Sequence, residues 1–344
     1  MSTKTNKRLP YGNADFKSIR TENNYVYVDK TRFIELLEKE GNKSKIFIRP
    51  RRFGKSLFLS TLSYYYDVNY ANEFEQLFGD LYIGKNPTPL KNSYAVMEFD
   101  FSGIDTASVE RFQNSFFENV KFSVRQFLQR HKKIFHNAER LIEQIDHEKT
   151  TLSILDIAFS VADEAGIKIF AIIDEYDHFA NDLIAMGSVL GDDFYKKMIT
   201  ANGLVRDFYE KLKIMAKYGI VTQTFITGIS PVMLDDLTSG YNIASNLSLD
   251  LRYNEMLGFT QKEVNKLMEA IGIKSDQIDI DMVHYYNGYL FNEEGEHKVY
   301  NPSMILYVFD QLLKTGKSPK NLIDPNLSID PKRLKRLVQN ESNR

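Results

Sequence analysis

An apolar run broken by a basic, glycine-terminated turn constrains this chain more than any other segment. Lys45 to Ser56 read KIFIRPRRFGKS, and the sequence continues as LFLSTLSYYY. Ile46, Phe47 and Ile48 predict a strand, Gly54-Lys55-Ser56 a tight turn, and the residues beyond a helix. That is the strand–loop–helix context of a phosphate-binding loop. In such a loop Arg49, Pro50, Arg51, Arg52, Phe53 and Gly54 would wrap the phosphates. Backbone N–H groups of the loop and of the first helical turn, through Leu57, would converge where the helix adds about half a positive charge. Lys55 would reach the outer phosphates and the Ser56 hydroxyl would ligate Mg²⁺, so the predicted ligand is ATP.

The pattern departs from G-x-x-x-x-G-K-[S/T] at its first position, where Arg49 stands for glycine. Glycine there frees the chain to leave the strand in a turn, whereas Pro50 fixes the next φ in its own way. Taken alone, the segment could equally be a basic surface turn.

A second motif displaces that reading. Lys168 to Glu175 read KIFAIIDE, an apolar run ending in two carboxylates. A buried parallel strand that delivers charge at its C-terminal edge has this form. Asp174 is expected to hold the Mg²⁺ shell, and Glu175 to orient and deprotonate the attacking water. A pair of acids favouring a helix N-terminus is the competing reading. A third element, GIVTQTFITGIS over Gly219–Ser230, is strand-like and ends in polar residues. In ATPases of this kind a strand between the two motif strands ends in a polar group near the γ-phosphate. Thr227 is the candidate catalytic sensor and Ser230 the second choice, with a plain strand-end cap as the alternative for either.

With 344 residues the chain can bury a substantial core and is expected to form a main and an accessory domain. A net charge of −2 carries no general footprint for nucleic acid or membrane. The basic clusters are local, at Arg49-Arg51-Arg52 and at Lys332-Arg333-Lys335-Arg336. No apolar run approaches the roughly 18 residues of a membrane span, and the first residues, MSTKTNKRLPYGN, are polar. Absence of cysteine excludes disulfides, thiolate metal sites and a cysteine nucleophile. A cytoplasmic address follows by elimination. The six histidines show no ligand pattern, and His131 and His136 are expected to be solvated. The abundant tyrosine and phenylalanine are read as core and interdomain contacts.

Along the chain, Leu9–Thr31 read as an extended lead-in with a turn, followed by a helix over Arg32–Lys39. This puts Asp29-Lys30-Thr31 near the back of the site, where adenine or ribose would lie, although a helix cap suits Asp29 better. A second strand is expected over Tyr94–Phe101, with its edge residues Asp100 and Ser102 pointing toward the ligand face. Helical spacing follows between Ser108 and Gly166, then over Phe194–Tyr218, with a fifth strand over Asn246–Leu251. Strands alternating with helices predict a mostly parallel α/β sheet. Beyond Glu255, Thr260 with Glu263 forms a capping box for a helix over Gln261–Ile271. Helical pieces at Met282–Tyr286 and Ser303–Leu313 bracket a hairpin with its turn near Glu294-Gly295. The tail is read as a short helix and a polar end. Glu296-His297-Lys298 has nuclease-like E-x-K spacing with Asp281 upstream, but it is read as exposed hairpin charge.

These pieces together resemble the bacterial and archaeal AAA-ATPase-like family of P-loop proteins. The resemblance lies in LPYGNADF, YVDKT, FIRPRRFGKSLFLSTL, EFDFSGI, IIDEYD, FITGIS, YNEMLGFTQKEV, YYNGYLF and VYNPSMIL, in family order over about Leu9 to Tyr307. The Arg-Pro-Arg-Arg-Phe-Gly-Lys-Ser form is itself characteristic of that family. The resemblance implies an α/β P-loop NTPase of AAA-like type: residues 1–254 as the core with its mostly parallel sheet and flanking helices, and residues 255–344 as a small, mainly helical lid. It also implies Lys55 and Ser56 as phosphate and Mg²⁺ residues and Asp174-Glu175 as the acidic pair. Family members commonly continue into a PD-(D/E)XK-type nuclease domain, expected to start where this sequence stops at Arg344. The expected function is an Mg²⁺-dependent ATPase switch. Its rivals are a nucleotide-binding scaffold that recruits a protein partner or nuclease module, and a handler of DNA or RNA, which the net charge does not favour.

Overall fold

Alternate residues of each central strand go to opposite faces of one sheet, and both faces are covered. The structure is a computed structural model that describes residues 7–22, 24–178, 203–231 and 241–324. Five parallel strands run in the order β2-β3-β4-β1-β5: β1 Ser44–Ile48, β2 Tyr94–Asp100, β3 Lys168–Asp174, β4 Val221–Gly228 and β5 Ala244–Asn246. Ile46, Met97, Ile173 and Ile226 enter one core, while Phe47, Val96, Ile172 and Phe225 enter the other. This is the period-two division expected of a sheet buried on both sides.

In chain order, α1 (Phe16–Thr21), α2 (Arg32–Lys39), α3 (Lys55–Tyr66), α4 (Phe74–Phe78) and α5 (Tyr82–Lys85) precede β2. Then come α6 (Val109–Arg130), α7 (Ala138–His147) and α8 (Thr151–Glu164), with α9 (Leu204–Lys217) between β3 and β4. Phe116, Val120, Val124, Phe127 and Leu128, the residues of the expected helical stripe, are buried along α6. The helix α3 buries Phe58, Leu59, Leu62, Tyr65 and Tyr66 on the opposite face of the sheet.

The C-terminal part holds α10 (Gln261–Ile271), α11 (Met282–Tyr286), the antiparallel pair β6 (Asn287–Tyr289) and β7 (Val299–Tyr300), and α12 (Pro302–Thr315). Thr260 and Glu263 form the reciprocal capping box at the start of α10. Val264, Leu267, Ile305 and Phe309 make a third core that also takes in Val26, with Leu9 and Tyr11 packed against it. The N-terminal segment is therefore tied to the C-terminal helices. Glu296, His297 and Lys298 are exposed in the hairpin, and Asp281 caps α11 through the His284 N–H.

Three expectations are corrected. The lead-in contains α1, because the Asp15 carboxylate accepts from the Lys17 and Ser18 N–H groups and starts a helix. The fifth strand lies earlier and is shorter, since the Ser248 hydroxyl takes the Ile48 N–H and Asp250 then opens a turn at Leu251–Tyr253. His131 is 0% exposed and bonded through its ring nitrogens to the Phe127 carbonyl at 2.8 Å and Asp67 at 3.0 Å, so it is a core residue. The predicted helical residues 194–202, the tail helix and the basic cluster Lys332–Arg336 lie outside the described residues. Among the described residues no helix is long and apolar enough to cross a membrane.

Candidate nucleotide site

The loop after β1 is held from its buried side by the residue that breaks the glycine pattern. Arg49 is 1% exposed. Its Nη1 donates to the carbonyls of Ile48 and Ser248, both at 2.8 Å, and its Nη2 to the Tyr253 carbonyl at 3.0 Å. The guanidinium lies between the rings of Phe47 and Phe291, 4.0 and 3.8 Å from their centroids. Burial pushes it down to about 9. Arg49, expected among the residues that wrap the phosphates, thus spends its planar fork on acceptors inside the protein, while its carbonyl accepts from Lys55.

Gly54 ends the loop at φ 88°, a left-handed conformation that a side chain disfavours, and no side chain caps α3 behind it. The N-terminus of α3 therefore directs its backbone N–H groups and dipole outward. Lys55 is 6% exposed, and its Nζ donates to the carbonyls of Arg49 and Pro50, both at 3.0 Å. Burial pushes its ammonium down, while Asp174, Glu175 and Asp177 oppose that shift. The carbonyls of Arg51 and Arg52 accept from Asn301 and Ser303 at the start of α12. Phe53 packs edge-on against Tyr289 and Phe291 of the hairpin. The C-terminal part thus grips the loop at three consecutive residues.

The two motifs meet. β4 lies between β1 and β3, as the order required, and Ser56 reaches across it: its Oγ donates to Asp174 Oδ2 at 2.7 Å. Thr227 Oγ1 donates to Asp174 Oδ1 at 2.6 Å, and the Glu175 N–H donates to the same oxygen at 2.9 Å. Burial pushes the Asp174 carboxyl up, and the Thr227 and Ser56 hydroxyls oppose it. Thr227 is thus committed to Asp174. Ser230 gives its N–H to Asp177 at 2.6 Å and its carbonyl to the Tyr176 hydroxyl at 2.6 Å, so its backbone belongs to a clasp. Gly228 makes the clasp fit, because a Cβ there would stand 2.4 Å from Asp177 Oδ1 and from the Tyr176 ring.

Glu175 has φ 51°, outside the range comfortable for a side chain, and its Oε2 lies 3.1 Å from His178 Nδ1. That bond, against the opposing effect of burial, holds its carboxyl below the usual range.

A cleft of about 530 Å³ opens over these residues, within the span of small-molecule sites. Arg51 through Phe58, Glu175 and His178 line one side. Gly12, Val26, Tyr27 and Lys30 line another, and Leu257, Phe259, Leu267 and Leu306 close it from the C-terminal part. Asp174 and Thr227, both buried, join its wall through Ser56. Asp29 does not line it: its carboxylate accepts from the Thr31 and Tyr82 N–H groups, both at 2.8 Å, and locks α2 to α5. The neighbouring Lys30 enters instead, its Nζ bonded to Glu263 Oε2 at 2.7 Å and the Glu255 carbonyl at 3.0 Å. Of the expected Asp29-Lys30-Thr31 stretch, Lys30 alone lines the cleft. His178 and Asp177 were not named as site residues, although they stand only three and two positions after Glu175. Asp100 pairs with Asp174 in register but is exposed and outside the cleft. A larger groove of about 820 Å³ between α7 and α8 holds none of these residues.

A parallel sheet in this order, with a glycine-turned loop and an acid-tipped strand flanking a central strand, defines a P-loop nucleotide-binding protein. Residues 10–238 match the family described as predicted AAA-ATPase, and the chain belongs to that family. A curated protein of Azotobacter chroococcum mcd 1, described as an uncharacterized protein in the vnfD 5′ region, is 26% identical over 307 residues, 89% of this chain. The match covers 52% of that relative, so this chain spans about half its length. Among solved structures, a Walker-type ATPase of Pyrococcus abyssi is similar at TM-score 0.46 and 10% identity, covering 84% of this chain and 67% of its own.

Proposed function

We propose that the protein binds ATP with Mg²⁺ and hydrolyses it, with the C-terminal helices acting as a lid that reports nucleotide state. The observation that carries this reading is the junction at Asp174, where Ser56 and Thr227 each donate to one carboxylate oxygen. The side-chain atoms gathered there, the Ser56 and Thr227 hydroxyls and the Asp174 carboxylate, are all oxygens, the set a hard cation prefers, and a single carboxylate suits Mg²⁺, which keeps several waters and takes other ligands from phosphate. Ser56 and Asp174 would hold the ion, which when bound offsets charge on the phosphates. Lys55 would exchange its loop carbonyls for phosphate oxygens. Glu175 would take a proton from water as the water oxygen bonds to the γ-phosphorus. The bond from that phosphorus to the bridging oxygen breaks, and its electrons leave on ADP. The cytoplasmic location belongs to the same proposal.

The lid reading rests on contacts that join parts distant in sequence. Lys30 meets Glu263, Arg32 meets Glu255 at 2.9 Å, and the N-terminus of α12 holds the phosphate loop. A change in loop shape on binding would pull on the C-terminal helices.

Calorimetric titration of ATP with Mg²⁺ into wild type and Lys55→Ala tests the site. We expect binding to weaken by at least about a hundredfold, the loss of a buried charge-assisted contact; equal affinity would remove the assignment. Phosphate release by wild type and Glu175→Gln tests hydrolysis. A scaffold with little turnover is the second reading, favoured by the engagement of both Lys55 and Glu175 with protein groups. Equal, near-zero rates in both proteins, with ATP still raising the melting temperature, would select it. A protein partner, nuclease module or nucleic acid is a further proposal, and steep salt dependence of oligonucleotide binding would support the last.

A further inference from the structure

We infer that His178 is a positioning residue for Glu175, holding one oxygen of that carboxylate so that the other faces the cleft. The inference rests on the hydrolytic role proposed for Glu175.

The observations are geometric. Both residues line the cleft beside Lys55, and both side chains are about seven-tenths buried, at 27% and 29% exposure. His178 Nδ1 stands 3.1 Å from Glu175 Oε2. The intervening backbone is fixed at several points. The Tyr176 N–H donates to the Thr227 carbonyl at 3.1 Å, the His178 N–H to the Glu175 carbonyl at 3.0 Å, and Asp177 accepts from the Ile229 and Ser230 N–H groups. The imidazole therefore rides on a turn clasped to the end of β4, the strand whose Thr227 holds Asp174.

Glu175 needs such a partner. Its φ of 51° costs on the order of 1 kcal/mol or more and persists only where surrounding structure imposes it. A carboxylate on a short loop has free χ angles, and a general base works only within hydrogen-bond reach of its proton. A neutral imidazole donating from Nδ1 occupies Oε2 and leaves Oε1 to accept from water. This is the arrangement in which a base is itself oriented by a further group.

The test compares His178→Ala and His178→Asn in the full chain. The Asn side chain places a nitrogen donor where Nδ1 stands. We expect kcat for phosphate release to fall at least about tenfold in His178→Ala, with ATP affinity by calorimetry unchanged. The Asn variant should recover most of the loss, and Glu175→Gln with His178→Ala should be no slower than Glu175→Gln alone. In nitrogen-15 spectra of the imidazole, taken well above its ordinary titration range, His178 should carry its hydrogen on Nδ1 in wild type and lose that preference in Glu175→Ala. Wild-type turnover in His178→Ala, a further loss on top of Glu175→Gln, or an unchanged tautomer in Glu175→Ala would each overturn the inference alone. A wild-type protein that binds ATP but releases no phosphate would instead overturn the hydrolytic reading, and the positioning role would fall with it.

Discussion

Thr227 and Asp174 meet at 2.6 Å across adjacent parallel strands, hydroxyl to carboxylate, at a point almost closed to solvent. The polar residue of the central strand therefore acts on the acidic motif directly. Thr227→Val keeps the shape and removes the donor. The variant should lose about 1.5–3 kcal/mol of stability in urea denaturation, the usual value of a hydrogen bond to a charged group. Phosphate release should fall at least about tenfold, with ATP affinity nearly constant. Wild-type turnover would show that Thr227 serves only the fold.

Asp174→Asn should separate metal dependence from nucleotide binding. The amide retains the shape but offers one acceptor oxygen in place of two, and carries no charge for a divalent ion. Titrations with and without Mg²⁺ should show that Mg²⁺ no longer raises ATP affinity, while affinity in EDTA stays close to wild type. An intact Mg²⁺ effect would remove Asp174 from the metal shell.

Restoring the usual glycine at position 49 should damage the protein. Arg49 makes three hydrogen bonds to carbonyls and lies between two aromatic rings. Arg49→Gly should cost about 3 kcal/mol or more, summing charge-assisted bonds and stacking, and should weaken ATP binding because the loop loses its anchor. Arg49→Lys should not rescue it, since an ammonium cannot span the same acceptors. Unchanged denaturation midpoints would refute the anchoring role.

Lys45 should make stability depend on alkaline pH. It is 5% exposed on β1, and burial pushes its ammonium down to about 8. The unfolded side chain titrates near 10.4, so the folded state favours the neutral amine. Its contribution is complete above about 10.4 and is lost as pH falls through about 8, an amount of at most about 3 kcal/mol. The stability of wild type relative to Lys45→Met should therefore rise between about pH 8 and 10. A flat difference in urea midpoints over that window would show that Lys45 is not desolvated.

Much of the architecture was legible because it depends on local pattern. The apolar runs at Lys168–Asp174 and Tyr94–Asp100 are strands, and the Thr260–Glu263 box starts its helix where the residues predict. The pairing of Ser56 with Asp174 was legible as well, because two motifs at strand ends converge once those strands lie in one parallel sheet. Other positions were not readable in this way. Arg49 was read as a loop residue standing where glycine is usual, yet its side chain is fixed by the carbonyls of Ser248 and Tyr253. His131 looked solvated, yet Asp67 meets it in the core. Asp29, Lys30 and Thr31 were expected together at the back of the site, yet only Lys30 lines the cleft, while Asp29 accepts backbone N–H groups at the start of α2 and α5.

The amino-acid order by itself determined where strands, turns and helices form and which residue types stand at strand ends, because those properties follow from side-chain period and backbone preference within a few residues. Only the tertiary structure decided which way the polar side chains turn. A buried guanidinium or ammonium is stable only beside acceptors, and here those acceptors arrive from segments some 200 residues away, as with Arg49 and the Ser248 carbonyl (|i−j| of 199) or Lys30 and Glu263 (233).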